Sequence, residues 1–208
     1  MVVNHDKKFV FVAVARTGST SIRDFFNADL TAAPDVYHAT RYDIEKSFKI
    51  CLSRADIDDY YKFAFVRNPW DRMVSSYFSF RQQDHRPWNE NVAKYSTFKS
   101  FMNNIEDNEI LSDIHFRPQS ECLSINGHLA VDFIGKYENY ERDFKRVCEH
   151  IKMPIKSWER EMGHHRQTKG RSREDNYKFY YRKNPEFIDI VSEIYHQDIK
   201  YFNYSFDD

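Results

Sequence analysis

The feature that most constrains the fold is an apolar run near the N-terminus that ends in a short polar turn. Residues 9–15 have the sequence Phe-Val-Phe-Val-Ala-Val-Ala, and Arg-Thr-Gly-Ser-Thr follows at 16–20. A continuous β-branched and aromatic run is typical of a strand buried on both faces of a parallel sheet. Ile22, Phe25 and Phe26 then recur at helical spacing behind hydroxyl residues that can cap a helix. The sequence therefore predicts a central strand, a loop and a helix in that order.

A second strand and helix are predicted on either side of Arg67. Residues 62–66 form another apolar run, and Asn68 and Pro69 supply a capping residue and the proline favoured at the first helical position. The helix that begins at Pro69 has an apolar face containing Trp70, which is predicted to pack, and a polar face predicted to be free for ligand or solvent. The polar face consists of Arg72, Ser75, Ser76 and Ser79.

The rest of the chain continues the alternation of strands and helices. A brief strand is predicted at 36–38 and another at 131–134, with helices at 97–105, after Asn139 and from near Pro185; loops are predicted at 82–95 and 159–175. Such alternation indicates an α/β, three-layer P-loop-like fold with a central, mostly parallel sheet flanked by helices. The length of 208 residues suits one domain over residues 1–208.

Composition narrows the functional classes. The 31 basic and 32 acidic residues balance to a formal charge of −1, which argues against a nucleic-acid partner. The three cysteines are widely spaced, so neither a disulfide framework nor a metal site is expected. The apolar run near the N-terminus is shorter than that of a signal peptide, and no apolar stretch is long enough to span a bilayer, so we expect a soluble, cytoplasmic protein. The oligomeric state is not indicated.

The polar turn after the first strand is suited to binding an anion. Successive backbone N–H groups at a helix start, together with hydroxyl groups and one cation, favour a phosphate-like group. The residues concerned are Arg16, Thr17, Gly18, Ser19, Thr20 and Ser21. The nucleotide-kinase pattern GxxxxGK[ST] is absent, which weakens a P-loop-like kinase using ATP as an alternative.

A second motif, FAFVRNPWDRMVSSY at 63–77, supports this interpretation. Arg67 follows the carboxyl end of a predicted strand, and Ser75 lies about two turns along the next helix. Both side chains are therefore predicted to face one ligand phosphate.

The two motifs together resemble the donor-binding motifs of sulfotransferases, especially the membrane-anchored Golgi carbohydrate sulfotransferases and their soluble bacterial relatives. Stretches at 115–119, 132–139 and 204–206 extend the resemblance over most of the chain. The resemblance implies that the co-substrate is 3′-phosphoadenosine 5′-phosphosulfate (PAPS), which leaves as 3′-phosphoadenosine 5′-phosphate (PAP). It implies that the first loop binds the 5′-phosphosulfate, and that Arg67 and Ser75 bind the 3′-phosphate. A carbohydrate hydroxyl is the implied acceptor, with a small alcohol or a protein tyrosine left open.

The resemblance also suggests catalytic residues. His38 occupies the segment where related enzymes place a proposed base, and His115, grouped with Arg117 and Gln119, is the second candidate. Arg16 stands where the family usually has Lys; it can stabilise charge on the leaving phosphate, but it is effectively never deprotonated. For both histidines, an ordinary polar residue on a loop is the competing interpretation.

Two further possibilities come from basic residues and from Arg16. Lys169 and Arg171 fall in the late loop where sulfotransferases bring cations over the nucleotide, although a solvated charge run is the commoner explanation. Because Arg16 replaces Lys, a second alternative is a PAP-binding module without catalytic activity.

Overall fold

The computed structural model describes residues 1–27, 57–82, 90–106, 108–156 and 176–208. The strands in this part of the chain are β1 (Val2–Asn4), β2 (Phe9–Val12), β3 (Tyr61–Val66), β4 (Ser124–Ile125), β5 (His128–Leu129) and β6 (Phe133–Lys136). The α-helices are α1 (Ser19–Asn27), α2 (Pro69–Gln82), α3 (Glu90–Ala93), α4 (Phe98–Met102), α5 (Asn108–Leu111), α6 (Gln119–Leu123), α7 (Tyr140–His150), α8 (Lys178–Tyr181), α9 (Glu186–Ile194) and α10 (His196–Phe202). A 3₁₀ turn spans Tyr137–Asn139.

The chain divides into two compact units. The first combines Met1–Arg67 with Gln119–His165, and the second combines Asn68–Pro118 with Arg166–Asp208. Each unit is therefore assembled from two separate stretches of sequence. The single domain expected over residues 1–208 stays a prediction.

The first unit contains a four-stranded sheet in the order β1-β2-β3-β6. β2 pairs with β3 and β3 with β6 in parallel, while β1 is antiparallel to β2. The predicted α/β class, with a mostly parallel central sheet flanked by helices, is confirmed. β2 pairs only as far as Val12, opposite Ala64, so the apolar residues 13–15 belong to the loop rather than to the predicted strand.

An aromatic cluster fixes α1 against the sheet of the first unit. Phe9 of β2, Phe26 of α1, Phe63 of β3 and Phe144 of α7 are all fully buried. The ring of Phe26 lies 4.7 Å from that of Phe9 and 5.8 Å from that of Phe144, centroid to centroid. Burying a phenylalanine contributes about 1.5–3 kcal/mol, so this cluster anchors both ends of the loop between β2 and α1.

The second unit is helical in the part that the structure describes, and α2 begins as predicted. The Oδ1 atom of Asn68 accepts hydrogen bonds from the backbone N–H groups of Trp70 and Asp71, at 3.1 and 3.3 Å. These bonds satisfy donors that have no partner within the helix. Trp70 and Tyr77 are buried on the apolar face, as expected.

The predicted exposure of the polar face of α2 to solvent is wrong, whereas the predicted contact of Ser75 on this face with a ligand stays a prediction. That face is buried, and its members are Arg72, Ser75, Ser76 and Ser79. Helical periodicity identified the face but could not show what covers it. Arg72 and Ser76 bind backbone carbonyls of residues 114–117, so part of this face is used for packing.

Several smaller elements differ from expectation. The helix predicted at 97–105 is the shorter α4, capped by Thr97, whose hydroxyl accepts from the backbone of Ser100 at 3.1 Å. The strand predicted at 131–134 lies at Phe133–Lys136, and α3 falls inside the loop predicted at 82–95. The brief strand at 36–38 and the loop at 159–175 lie outside the described residues. Among the helices described, none has the length and apolar character to cross a membrane.

Candidate functional site

The loop between β2 and α1 contains two residues with left-handed backbone conformations. Arg16 has φ = 69° and Gly18 has φ = 78°. Gly adopts this region freely, whereas for a residue with a Cβ it costs about 1–2 kcal/mol. Such strain persists where the surrounding structure needs a particular loop shape, which is common at functional sites.

The hydroxyl groups of this loop have different tasks. Thr17 is buried, and its Oγ1 donates to the carbonyl of Val14 at 3.0 Å. This hydrogen bond links two residues within the loop. Ser19 and Thr20 lie in the first turn of α1 and are partly exposed. Backbone N–H groups of a first turn lack acceptors within the helix and attract anions. The anion-binding character predicted for this loop therefore fits its position at the start of α1.

Gly18 is constrained by Tyr140 as well as by its backbone conformation. The Tyr140 hydroxyl donates to the Gly18 carbonyl at 2.7 Å. A Cβ atom at residue 18 would lie 2.8 Å from Cε2 of Tyr140. Burial raises the pKa of Tyr140, with the neighbouring Tyr137 adding to the effect, so the phenol keeps its proton, and can donate, to a higher pH than a solvent-exposed tyrosine.

Arg67 is held at the carboxyl end of β3 by Gln119. The Arg67 backbone N–H donates to Oε1 of Gln119 at 2.9 Å, and Nε2 of Gln119 donates to the Arg67 carbonyl at 2.8 Å. Gln119 is fully buried. This pair of bonds satisfies both backbone groups of Arg67 beyond the end of the strand.

The guanidinium group of Arg67 connects the two predicted motifs. Its Nη1 donates to the carbonyl of Arg16 at 3.1 Å, and its Cζ lies 4.2 Å from the ring centroid of Tyr137. Because β2 and β3 are parallel neighbours, their carboxyl ends meet at one edge of the sheet, where ligands of such folds bind. The first unit thus brings Arg16, Gly18 and Arg67 into one polar site suited to an anion.

Ser75 and His115 belong to the second unit. Ser75 is buried on α2, and its predicted pairing with Arg67 at one phosphate stays a prediction. His115 is partly exposed, and its Nδ1 lies 2.8 Å from Oδ1 of the buried Asp113. The same oxygen accepts the His115 backbone N–H at 2.9 Å. A carboxylate thus fixes the orientation of the imidazole.

The backbone beside His115 is anchored by buried side chains. Four successive carbonyls, those of residues 114–117, each accept a side-chain hydrogen bond within the second unit. The donors are Nη2 and Nη1 of Arg72 to residues 114 and 117, Oγ of Ser76 to residue 115 and the hydroxyl of Tyr195 to residue 116. The segment is therefore a fixed platform for the His115 ring.

The remaining residues that the sequence analysis named are either bound to backbone groups or lie outside the described ranges. Nε of Arg117 donates to the Ser112 carbonyl, and the Gln119 amide is engaged with the Arg67 backbone. His38, Lys169 and Arg171 lie outside the described residues. No group of three or more potential metal ligands occurs within the described ranges.

Sequence reasoning missed the contacts that four residues make at these sites: Tyr137, Tyr140, Gln119 and Asp113. Tyr140 lies at the start of the helix predicted after Asn139, and periodicity can show that such a side chain is buried but not what its hydroxyl binds. The sequence does indicate the contact of Asp113, since a carboxylate two residues before a histidine can reach the imidazole ring of that histidine. The contacts of Tyr137 and Gln119 with Arg67 join distant segments and have no local signal.

Comparison with known proteins gives the family. The model of the sulfotransferase family matches residues 1–205. An uncharacterised protein of Archaeoglobus fulgidus is 35% identical over 97 residues, which cover 47% of this chain and 72% of that protein. Carbohydrate sulfotransferase 14 of Mus musculus is 30% identical over 120 residues, as is that of Homo sapiens.

These relatives differ in how much of their length is matched. The alignments with carbohydrate sulfotransferase 14 cover 49% of this chain but only 31% of the mouse and human proteins. No solved structure matches the chain. The family model, by contrast, extends over nearly the whole chain and includes both motifs of the anion site. The chain belongs to the sulfotransferase family.

Proposed function

We propose that this protein transfers a sulfuryl group from PAPS to a hydroxyl group of a carbohydrate. In this proposal, residues 16–21 bind the 5′-phosphosulfate, and Arg67 and Ser75 bind the 3′-phosphate. Lys169 and Arg171 cover the nucleotide. The membership of the chain in the sulfotransferase family supports the reaction class.

The observation that carries the proposal is the contact between the two donor-binding motifs. The Arg67 guanidinium donates to the carbonyl of Arg16, so a cation beyond β3 is fixed against the loop that opens α1. A ligand with phosphate groups at two positions needs two anion-binding elements at a defined separation. PAPS has this property, whereas a nucleotide without a 3′-phosphate lacks the second group.

The proposed reaction is an in-line displacement at sulfur. The acceptor oxygen forms a bond to sulfur, and the bond between sulfur and the bridging oxygen of the donor breaks. The bonding electron pair stays on the 5′-phosphate of PAP, where Arg16 stabilises the charge. The acceptor proton passes to a histidine, for which His38 is the first candidate and His115, oriented by Asp113, is the second. This mechanism relies on positioning and electrostatic stabilisation.

The carbohydrate acceptor rests on the resemblance and on relatives named carbohydrate sulfotransferase 14. The decisive test incubates the protein with PAPS labelled in its sulfur and with fractionated glycans and small metabolites. We expect label in a carbohydrate fraction, and label in small alcohols or tyrosine peptides alone would contradict the acceptor class.

Replacing His38 by Ala should spare donor binding and lower turnover by about 10²–10⁴-fold if His38 is the base. If His115→Ala shows this loss of turnover while His38→Ala stays active, His115 is the base instead of His38.

A PAP-binding module without catalysis is the second candidate, because Arg16 replaces the usual Lys of the family. It predicts tight binding of PAP without label transfer to any fraction. Arg16→Lys should then restore transfer. Transfer by the unmodified protein would eliminate this candidate.

A further inference from the structure

We propose that Tyr137 is a positioning residue that holds the Arg67 guanidinium for the 3′-phosphate, and so sets the preference for nucleotides that carry this group. The inference rests on the proposed function, in which Arg67 binds the 3′-phosphate. It adds a residue outside both donor-binding motifs. It also assigns to that residue an effect on ligand selectivity that ordinary packing would not produce.

The Arg67 side chain contacts two groups of the first unit, the Arg16 carbonyl and the Tyr137 ring. Gln119 fixes the backbone, and the Arg16 carbonyl accepts one N–H of the side chain. The Tyr137 ring lies against the guanidinium, with 4.2 Å between Cζ and the ring centroid, and only 7% of Arg67 is exposed. A hydrogen bond at one nitrogen fixes a point, whereas an aromatic face fixes the plane of the group.

The plane matters because the N–H donors of guanidinium lie within it. Bidentate binding of a phosphate requires the edge of the group to point at the phosphate oxygens. With a ring covering one face, that edge is the part presented to a ligand. Loss of the ring would remove this constraint on the plane of the guanidinium and would weaken contacts to the 3′-phosphate alone.

Tyr137 is itself fixed by the turn that carries it. This turn, Tyr137–Asn139, directly follows β6, and the backbone N–H of Lys136 donates to Oδ2 of the buried Asp143 at 2.9 Å. Three residues after Tyr137, Tyr140 binds the Gly18 carbonyl, and the two tyrosine rings lie 5.8 Å apart. One short segment therefore supports both donor-binding motifs, through Arg67 and through the loop.

The test measures, by titration calorimetry, the dissociation constants of PAP and of 5′-AMP, which lacks the 3′-phosphate. The ratio of the AMP constant to the PAP constant isolates the contribution of that phosphate. We expect Tyr137→Ala to lower this ratio about five- to tenfold and to leave the affinity for AMP within about twofold. Tyr137→Phe, which keeps the aromatic face, should keep the ratio. Tyr140→Phe is the matched control from the same segment, and it should change both affinities alike.

Each outcome decides the proposal. A Tyr137→Ala variant with the wild-type ratio overturns the role of Tyr137 and leaves the proposed function standing. A lowered ratio of the two dissociation constants in Tyr137→Phe would assign the effect to the hydroxyl group and would also overturn the proposed role of the aromatic ring. If Tyr137→Ala does not fold, Tyr137→Leu replaces the ring by an aliphatic group of similar bulk, and a wild-type ratio in that variant contradicts the proposal. A wild-type protein that binds PAP no better than AMP overturns the proposed function and this inference together.

Discussion

At the scale of single residues, Arg16 combines a backbone conformation that suits glycine with a charge that glycine lacks. Its φ of 69° lies in the left-handed region, and its carbonyl accepts from Arg67. Replacement by Gly relieves the strain but increases the freedom of the unfolded chain, and the two effects nearly cancel. We therefore expect Arg16→Gly to keep the free energy of unfolding within about 1 kcal/mol.

The same variant should lose at least about tenfold in sulfuryl transfer, because charge stabilisation of the leaving phosphate is a large part of catalysis in such sites. Denaturant titration and label transfer measure the two effects on one preparation. Arg16→Lys is the matched control, since it keeps a positive charge. Full transfer by Arg16→Gly would show that Arg16 has no electrostatic role.

Gly18 gives a second prediction at this scale, and the chain offers a matched glycine. Gly18 and Gly127 have nearly the same φ, 78° and 79°, but a Cβ at residue 18 meets Tyr140, whereas at Gly127 no described atom lies within 4 Å. Both Gly→Ala changes strain the backbone, and only Gly18→Ala adds overpacking. We expect Gly18→Ala to cost about 1–3 kcal/mol more than Gly127→Ala in denaturant unfolding. Equal losses would mean that Tyr140 moves aside without cost.

At the scale of elements, the strands and helices with long apolar patterns were predicted correctly, and those with short patterns were not. β3 and α2 were located because each has a sustained run or stripe and a clear boundary at Asn68-Pro69. β1, β4 and β5 have two or three residues each, which is too short for any period to appear. The burial of the polar face of α2 was not predicted, because the carbonyls that Arg72 and Ser76 bind lie about 40 residues away in sequence.

That polar face gives a third prediction. Arg72 is 1% exposed and binds the carbonyls of Ile114 and Arg117. Replacing it by Met fills similar space but leaves two carbonyls without these donors. We expect Arg72→Met to cost about 2–4 kcal/mol of unfolding free energy, because buried acceptors lose charged donors. Arg81→Met, at an exposed arginine near the end of the same helix, is the control and should cost under about 1 kcal/mol. Similar losses would refute the anchoring role of Arg72.

At the scale of the whole molecule, buried tyrosines predict how stability depends on pH. Burial raises the pKa of Tyr140 in the first unit and of Tyr195 in the second, and it raises that of the half-buried Tyr61 to about 12, with Asp132 adding to the effect. Unfolded tyrosines lose their protons near pH 10, while these stay protonated in the fold. The native state then binds more protons than the unfolded state, so stability falls as pH rises above about 10.

The measurement is the denaturant midpoint between pH 8 and 11. Tyr195→Phe should cost about 1 kcal/mol at pH 8, because the hydrogen bond to the Phe116 carbonyl is lost, and its midpoint should decline less steeply above pH 10. A decline as steep as that of the wild type would exclude Tyr195 as a contributor.

The candidate site could be predicted from the sequence to the extent that its residues lie in continuous motifs. The sequence predicts residues 16–21 and Arg67 as binding residues because each follows a strand in a recognisable pattern. Their binding role stays a prediction, and the first unit brings Arg16 and Arg67 into contact. Tyr137 and Gln119, the supports of Arg67, come from segments more than 50 residues away. Their roles depend on which strands are neighbours in the sheet, and no local pattern contains that information.

The central claim is that the loop after β2 and Arg67 together bind a nucleotide with phosphates at both its 3′ and 5′ positions. The most direct test compares the binding of PAP, 5′-AMP and magnesium ATP to the wild type and to Arg67→Ala by titration calorimetry. We predict that the wild type binds PAP most tightly, and that Arg67→Ala loses at least about tenfold in affinity for PAP but little for AMP. Equal affinity for PAP and AMP, or tighter binding of magnesium ATP than of PAP, would contradict the claim.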